Sequence, residues 1–410
     1  MNCVTTQALL EDFTEPQIER SRRRKRATLP LRLASAGLGF AAMCVLGFTR
    51  LGAQLVHGAG SLAGGGWLAS AALGAVALDL VLTLLGLPIS ARMETVNRAW
   101  GLSNRSWRLF WTDAAKGFLI GALLLDAVSI GLFALIRALP GTWWIPACAA
   151  AAGLVFVLSF LVPVVFEPLF NRFRPMEEGP LRERLMQVAA QTGVSVRDIL
   201  VSDASRRTNS MNAYVSGMGK TRRIVVWDTT VKQATPEQVA AITAHELGHA
   251  ARRDVITGTA VSALGMIAGT LLLAAAVHWR ALLDAAGTPA VADPRTLPLI
   301  MAVGTVLGAL SAPLFNAYSR RVEARADQYA LDLTRDPAAV VATWRNLAVQ
   351  SISDLDPHPL AQLWLGTHPA IPARIAHARG WGARHGVAVV LPRPGESPDP
   401  GQQTSQIAEP

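Results

Sequence analysis

The chain has 410 residues, of which 51% are hydrophobic and only 16% are charged, and its mean hydropathy is +0.31. Soluble proteins carry about a quarter of their residues as charged side chains, so this composition excludes an ordinary soluble enzyme and indicates several membrane-spanning helices. The net charge of +9 does not indicate nucleic-acid binding, because the basic residues flank apolar runs and do not form one basic polar domain.

Apolar runs long enough to cross a bilayer set the predicted architecture. A hydrocarbon core of about 30 Å requires about 20 apolar helical residues. Six runs reach this length, at 33–56, 67–90, 117–136, 145–166, 255–278 and 297–318. We therefore expect an all-α polytopic membrane protein with about six transmembrane helices. Asp79 and Asp126 lie deep in the second and third runs, where each has either a functional role or a structural partner inside the protein.

The charges around these runs predict their orientation. Basic residues occupy 22–26 and recur between 92 and 116, whereas the loops at 57–66 and 140–144 contain no Lys or Arg. Lys and Arg accumulate on the cytoplasmic side of membrane helices. A basic N-terminal segment, 1–30, is therefore predicted to be cytoplasmic, and so is the stretch that follows four transmembrane helices within 31–166. This predicts a multi-pass protein of the cell membrane, in contact with membrane lipids.

The polar stretch 167–254 is predicted to form a small α+β insert on the cytoplasmic side. Its sequence favours an amphipathic helix at 180–192 and strands at 199–202, 210–215 and 222–227. Thr235, Pro236 and Gln238 mark the start of a further helix, because threonine caps, proline suits the first helical position and Gln238 completes a capping box. This helix would extend through His245 and His249.

Two more transmembrane helices are expected within 255–318, followed by a C-terminal helical part at 319–390. That part is predicted to contain helices at 322–334, 337–353 and 371–378, with a loop at 357–369. The tail 391–410 is rich in Pro, Gly, Ser and Gln, a composition that is typical of disorder.

His245, Glu246 and His249 form a His-Glu-x-x-His pattern with a definite chemical meaning. On a helix the two histidines lie on one face and can bind one zinc ion. Glu246 is then placed to take a proton from a water molecule held at the metal. The alternative is a helix that contains two histidines by chance.

Two histidines leave a catalytic zinc site one protein ligand short. Glu323 follows the sixth run, where the predicted topology returns the chain to the side of the histidines, and is the best candidate for the third ligand. Asp327 lies one turn later on the same face and could accept the free N–H of a ligating histidine. Alternatively, both carboxylates belong to a solvated face and pair with Arg320, Arg321 and Arg325.

Weaker signals concern the substrate. Asn212, Ala213 and Tyr214 lie on a predicted strand, and an edge strand can hold an extended peptide through backbone hydrogen bonds. Ordinary strand packing explains this tripeptide as well. His368 and Arg374 could stabilise an oxyanion, although a histidine before proline is often only a loop residue.

An ordered set of motifs resembles a known family. The set comprises Glu167 to Phe173, Asn212 to Tyr214, Arg223 to Val226, His245 to His249, Glu323 to Asp327, and His368-Pro369 with Arg374. From about residue 67 to 378 the chain resembles the integral-membrane zinc endopeptidases of the CAAX prenyl protease type I (Ste-type) family, which are related to the bacterial membrane heat-shock zinc protease.

The resemblance implies a zinc metalloendopeptidase of the HExxH type. Carried over by position, one zinc ion would be bound by His245, His249 and Glu323, and Glu246 would be the general base. It further implies a substrate-binding edge at 212–214 and places His368 and Arg374 near the scissile carbonyl. The substrate would be a peptide or protein, with or without a lipid modification, and no nucleic acid is expected.

Two alternatives and one departure accompany this resemblance. The nearer alternative is a membrane quality-control protease of broad specificity, and the more distant one is a non-enzymatic transporter or scaffold. Family members of the eukaryotic kind have seven membrane helices around a large hydrated chamber, one more than the six runs counted in this sequence. The closure of such a chamber therefore stays an open question at this point.

Overall fold

The computed structural model describes residues 10–217 and 219–391. Before the insert the chain forms five helices: α1 (Glu15–Phe48), α2 (Arg50–Ser61), α3 (Trp67–Ala99), α4 (Trp107–Ala138) and α5 (Trp144–Phe170). The first apolar run is divided at Thr49, whose extended backbone ends α1 and whose side chain accepts a hydrogen bond from Leu51 N to cap α2. The helix also begins well before residue 33, so α1 includes most of the basic segment.

The insert forms a four-stranded mixed sheet with helices beside it. Its elements are β1 (Phe173–Pro175), α6 (Pro180–Thr192), β2 (Asp198–Ser202), β3 (Ala213–Ser216), β4 (Arg223–Trp227), α7 (Asp228–Gln233) and α8 (Pro236–Ala251). The strand order is β1-β2-β4-β3, with β2 and β4 parallel and both outer pairs antiparallel. The predicted α+β character is confirmed. Strand β1 was not predicted, because its three residues carry no pattern and depend on β2 for their hydrogen bonds.

The remainder of the chain is helical. It forms α9 (Asp254–Val277), α10 (Arg280–Ala286), α11 (Leu297–Thr334), α12 (Pro337–Gln350), α13 (Pro359–Leu365) and α14 (Ile371–His385). The sixth apolar run and the next predicted helix are one continuous helix, α11. The prediction of a loop at 357–369 is wrong over α13, whose first turn is capped by the His358 side chain. The predicted disordered tail lies outside the described residues except for Leu391.

Six of the described helices are long and apolar enough to cross a membrane, which confirms the predicted number of spans. Four of them separate the start of α1 from the insert. Arg24 Nη1 donates hydrogen bonds to the carbonyl oxygens of Ser351 at 3.2 Å and Ile352 at 2.9 Å, and Lys25 pairs with Asp354 at 3.0 Å. The N-terminal end of α1 and the C-terminal helices therefore lie on the same side of the membrane.

Helix α8 lies between two hydrophobic cores. Its Ala240, Ala244 and Leu247 pack into the core of the insert together with sheet residues such as Ile224. On the opposite side Ala241 packs into a second core formed by α11, α12 and α14. Burial on both sides fixes the rotation of α8, because turning the helix would expose alanine and leucine side chains that are now removed from water.

One carboxyl oxygen of each intramembrane aspartate is buried. These oxygens, Asp79 Oδ2 and Asp126 Oδ1, accept no hydrogen bond from the residues that the structure describes. A carboxyl oxygen without a partner in an apolar region is costly. The two side chains are close enough for their charges to interact, so they are neighbours inside the protein.

Candidate metal centre

The candidate centre forms where α8 crosses α11. The capping box predicted at Thr235 and Gln238 is present and starts α8, so His245 and His249 fall on consecutive turns. Gly248 permits the close approach of the two helices, since a Cβ atom there would lie 3.0 Å from Cδ1 of Tyr329 on α11. Glu323, also on α11, is thereby brought opposite both histidines.

Three side chains offer ligand atoms that converge on one point. Nε2 of His245 lies 3.3 Å from Oε2 of Glu323, and Nε2 of His249 lies 3.5 Å from Oε1 of the same carboxylate. The three potential ligand atoms are all within 4.8 Å of one another. The alternative in which Glu323 lies on a solvated face and pairs with neighbouring arginines does not hold, because this residue is 9% exposed and faces the histidines.

A carboxylate stands behind each histidine. Nδ1 of His245 lies 3.0 Å from Oδ1 of Asp327, and Nδ1 of His249 lies 3.0 Å from Oδ2 of Asp254. These contacts hold the ring orientation and leave each Nε2 directed towards Glu323. Carboxylates in this position fix the tautomer of a metal-binding imidazole and increase its basicity. Asp327 was predicted from the sequence, whereas Asp254 was not.

Arg374 supports this arrangement from the protein interior. Its Nε donates to Oδ2 of Asp327 at 2.7 Å, and its guanidinium lies 3.5 Å from the centre of the Trp344 ring. The same group approaches Oε2 of Glu323 at 3.8 Å, and the residue is only 6% exposed. Its hydrogen bonds are thus directed at Asp327, a different contact from the oxyanion role expected from the sequence.

The pKa values of Glu246 and His245 are both raised, for different reasons. Burial raises the pKa of Glu246 above its usual range, and the nearby histidines offset this only in part. Burial alone would lower the pKa of His245. The Asp327 and Glu323 carboxylates beside the ring outweigh that effect and raise the pKa of His245 to about 9.

His368 reaches the outer side of the cluster from the loop before α14. Its Nε2 lies 3.4 Å from Oε1 of Glu323, its Nδ1 contacts the Thr367 hydroxyl at 2.8 Å, and 58% of the side chain is exposed. His368 is therefore the accessible member of the group, while Arg374 is the buried one. Desolvation lowers the pKa of His368, so its imidazole is neutral near pH 7.

The tripeptide Asn212 to Tyr214 lies at the start of β3, which is an edge strand beside α8. Ala213 is 1% exposed and packs into the insert core, so it can contact a ligand only through its backbone. The Tyr214 hydroxyl donates to Oε2 of Glu167 at 3.3 Å, which ties the strand to the end of the membrane helix α5. In the sheet order β3 is an outer strand, so its position is compatible with the edge strand that the sequence predicted.

Sequence reasoning missed two residues of the centre. Asp254 follows His249 by five residues and reaches back to it only because Arg253 adopts a left-handed conformation, with φ of 58°, between α8 and α9. Gly248 lies within the motif, but its role depends on Tyr329, far along the chain. Neither contact has a periodic signal in the sequence.

The residues present fit a zinc ion. Two imidazole nitrogens and a carboxylate are the donor set of many catalytic zinc sites, and both imidazoles have the supporting carboxylates that such sites use. Glu323 Oε2 is buried and forms no hydrogen bond of good geometry within the described residues, although Nε2 of His245 lies 3.3 Å away. A cation held by both groups would satisfy this oxygen.

Comparisons with known proteins agree with this geometry. The family model described as peptidase family M48 matches residues 175–382, and the model described as CAAX prenyl protease N-terminal, five membrane helices, matches residues 4–172. In that N-terminal range the structure has four helices of spanning length and the shorter α2. The two models together cover the insert, the candidate centre and all six candidate membrane spans.

Relatives and one solved structure give the same result. The chain is 30% identical to the uncharacterized metalloprotease YhfN of Bacillus subtilis, covering 73% of this chain and 71% of that protein. It is 28% identical to the CAAX prenyl protease 1 homolog of Oryza sativa, covering 67% and 65%. The crystal structure of S. mikatae Ste24p superposes with a TM-score of 0.78 at 21% identity, covering 90% and 92%. The chain therefore belongs to peptidase family M48 and is a membrane-embedded, CAAX-protease-like zinc metalloprotease.

Proposed function

We propose that the protein is an endopeptidase that hydrolyses peptide bonds at a single zinc ion held by His245, His249 and Glu323. The observation that carries this proposal is the convergence of three ligand atoms, within 4.8 Å of one another, beside the half-buried Glu246. Zinc bound there would polarise a water molecule and the substrate carbonyl. The rest of the chemistry belongs to side chains of this chain.

Glu246 acts as the general base. It directly follows His245 in the chain. Its raised pKa makes its carboxylate a stronger proton acceptor near neutral pH than an ordinary glutamate. The carboxylate takes a proton from the attacking water and passes it to the leaving amine. His368, the accessible histidine, donates to the oxygen that gains charge. Arg374 is a positioning residue, which holds Asp327 and through it the ring of His245.

The substrate binds in extended form along β3. In the described part of the chain no further strand pairs with the outer edge of β3, and a peptide added there would form hydrogen bonds with its backbone. The exposed side chain of Asn212 can bind the peptide backbone, while Ala213 and Tyr214 contribute main-chain groups. Because β3 lies beside α8, a peptide on this edge runs past the metal centre.

The centre faces the cytoplasm in this proposal. The start of α1 carries a basic run at 22–26 and contacts the C-terminal helices, so the positive-inside rule assigns both to the cytoplasmic side of the cell membrane. The substrate is a peptide or protein with a C-terminal segment of the CAAX type, as the names of the relatives suggest. We include a lipid-modified C-terminal cysteine in this substrate class, and the comparison of substrates below tests that modification.

Substitution of the base tests the mechanism. Glu246→Gln removes the proton acceptor but leaves the three metal ligands, so we expect full zinc content with hydrolysis lowered by about 10²- to 10⁴-fold. Glu237→Gln is the matched control, because Glu237 lies in the first turn of the same helix and is exposed. Full activity in Glu246→Gln would refute the assignment, and so would an equal loss in the control.

A comparison of substrates tests specificity. Zinc-dependent cleavage is measured on a peptide with a prenylated C-terminal cysteine motif, on its unmodified form and on an unfolded membrane protein. Preference for the prenylated peptide supports a CAAX-type protease. Cleavage of the unfolded protein at least as fast as the prenylated peptide would replace this function with membrane quality control. No cleavage of any substrate by the zinc-loaded protein would favour a non-enzymatic role.

A further inference from the structure

A basic pocket lies between the membrane helices and the soluble parts of the chain, away from the metal centre. Its volume is about 450 Å³, and its walls include Ser21, Arg24, Lys25, Thr28 and Arg32 of α1 together with Asn97 of α3. The α1 residues are spaced by three and four positions and share one helical face. Arg32 directly precedes the apolar run at 33, at the depth of lipid headgroups.

Positive charge in this pocket is not neutralised by the protein. Lys25 is paired with Asp354 at 3.0 Å, but Arg24 and Arg32 form no ion pair with any residue that the structure describes. These two arginines are close enough for their like charges to interact. Nε of Arg24 is also buried without a hydrogen-bond acceptor. Two guanidinium groups without an ion-pair partner and a donor without an acceptor match an anion with several acceptor oxygens.

A second cavity, which we call the membrane cavity, lies beside the basic pocket, between α1, α3 and α4. It has a volume of about 820 Å³, and Arg32 and Asn97 line both cavities. Residues 32–41 of α1 are exposed on every side of the helix, so one side faces this cavity while the other faces lipid. We treat the two adjacent cavities as one joined site.

The charged side chains that line the membrane cavity lie at the end nearer the insert. They include Arg32 on α1, Glu94 on α3 and Asp113 on α4, and the apolar Leu31 and Phe110 lie at the same end. The deeper lining, which includes Ala36, Leu82 and Phe118, carries no charged side chain. A ligand for this site needs a polar head and an apolar tail.

The carboxylates of the membrane cavity do not offset the arginines. Glu94 forms ion pairs with Arg98 and Arg105, and both Asp113 oxygens accept hydrogen bonds from Arg207. Their negative charges are thus matched by other cations. The unmatched charge of the joined site is positive and is located at the headgroup level.

We propose that this joined site binds one anionic phospholipid, with its phosphate between Arg24 and Arg32 and an acyl chain in the membrane cavity. Basic pockets between membrane helices, at the cytoplasmic side where Lys and Arg accumulate, bind anionic lipid headgroups. The bound lipid bridges α1 and the loop after α12, because Arg24 also donates to Ser351 and Ile352 in that loop. Binding of such a lipid stabilises the folded state by mass action.

Lipid retention by the purified full-length protein tests the proposal. Protein in neutral detergent is incubated with phosphatidylglycerol or with phosphatidylcholine of the same acyl chains. Native mass spectrometry counts the bound lipid molecules, and thermal unfolding measures their effect on stability. We expect one retained phosphatidylglycerol, a higher unfolding temperature with that lipid, and at least about tenfold weaker retention of phosphatidylcholine.

Two variants and their controls separate the headgroup from the chain. Arg32→Gln should weaken phosphatidylglycerol retention by about tenfold, whereas Arg26→Gln, which removes the same charge from an exposed residue outside both cavities, should change it by less than about twofold. Gly86→Leu should also weaken retention, because a Cβ at Gly86 meets open space in the membrane cavity. Gly153→Leu, equally open but outside both cavities, is its control.

The remaining outcomes overturn the proposal. Equal retention of both lipids, or an equal loss in Arg26→Gln, would mean that no headgroup site exists. Retention that inorganic phosphate abolishes and Gly86→Leu leaves unchanged would identify an anion site without a lipid chain. Displacement of the lipid by a prenylated peptide in one-to-one amounts would assign the site to the substrate.

Discussion

Asp254 offers the sharpest test of how this centre is held. Its Oδ2 lies 3.0 Å from Nδ1 of His249, its side chain is 7% exposed, and its other oxygen is 3.6 Å from Arg325. Asp254→Asn keeps the shape but removes the negative charge that fixes and activates the imidazole. Loss of such a carboxylate lowers metal affinity by about 10- to 100-fold, or about 1.4 to 2.7 kcal/mol.

The assay is a competitive zinc titration with a chelator of known affinity, together with thermal unfolding of the metal-free protein. Asp254 also lies in the first turn of α9, where a negative charge favours the helix by about 0.3 to 1 kcal/mol. A purely structural role would therefore lower stability and leave the zinc dissociation constant unchanged. Zinc binding by Asp254→Asn within about twofold of the unaltered protein would refute the argument.

A matched substitution controls for the loss of charge alone. Asp284→Asn removes a carboxylate whose side chain is 59% exposed and pairs with Arg280, at 3.1 Å on the short helix α10. Exposed pairs of this kind contribute little to stability. We expect zinc affinity and the unfolding temperature of this control to match those of the unaltered protein.

Three further predictions concern the same centre. Glu323→Ala should reduce bound zinc well below one equivalent, because it removes the only carboxylate facing both Nε2 atoms in the described part of the chain; an unchanged metal content would exclude it as a ligand. Gly248→Ala should lower both the unfolding temperature and the zinc affinity, at a cost of about 1 to 3 kcal/mol, because the added Cβ would press on Tyr329 at 3.0 Å. Gly258→Ala on α9 is its control, because a Cβ atom there meets no atom within 4 Å. Alanine favours helices over glycine, so a higher unfolding temperature for Gly248→Ala would show that the contact between Gly248 and Tyr329 is not tight. Zinc affinity should rise about tenfold per pH unit between pH 7 and 9, because His245, with a pKa of about 9, holds a proton below that pH that must leave before a metal binds. Calorimetric titrations in buffers of different ionisation enthalpy would reveal the released proton, and an affinity independent of pH in this range would contradict the shift.

Several features of the fold follow from the sequence because they depend on local chemistry. Apolar runs of spanning length predicted all six membrane helices, and the Thr235 capping box predicted the start of α8. The charge pattern also predicted that the N-terminal end of α1 and the C-terminal helices share one membrane side, and the Lys25–Asp354 pair agrees with this. Helix bounds were less predictable, because hydropathy marks where a helix enters lipid, and α1 and α11 both continue well beyond it.

The ligand motif was local as well. His245 and His249 share a face by helix periodicity alone, and Glu323 followed from counting membrane crossings. Their convergence within 4.8 Å, by contrast, depends on how closely α8 and α11 approach each other, and that distance is set by Gly248 against Tyr329. Such a contact between residues far apart in the chain leaves no pattern at either position.

The sequence by itself therefore determined the membrane architecture, the His-Glu-x-x-His motif and the candidate for its third ligand, because hydrophobic length, charge bias and helical spacing each act over short stretches of chain. Only the tertiary structure decided that Asp254 supports His249, that Arg374 faces Asp327 in the interior, and that Arg24 and Arg32 share an uncompensated basic pocket. These three arrangements depend on helix crossings and a left-handed turn at Arg253, which bring together side chains whose partners no local pattern specifies.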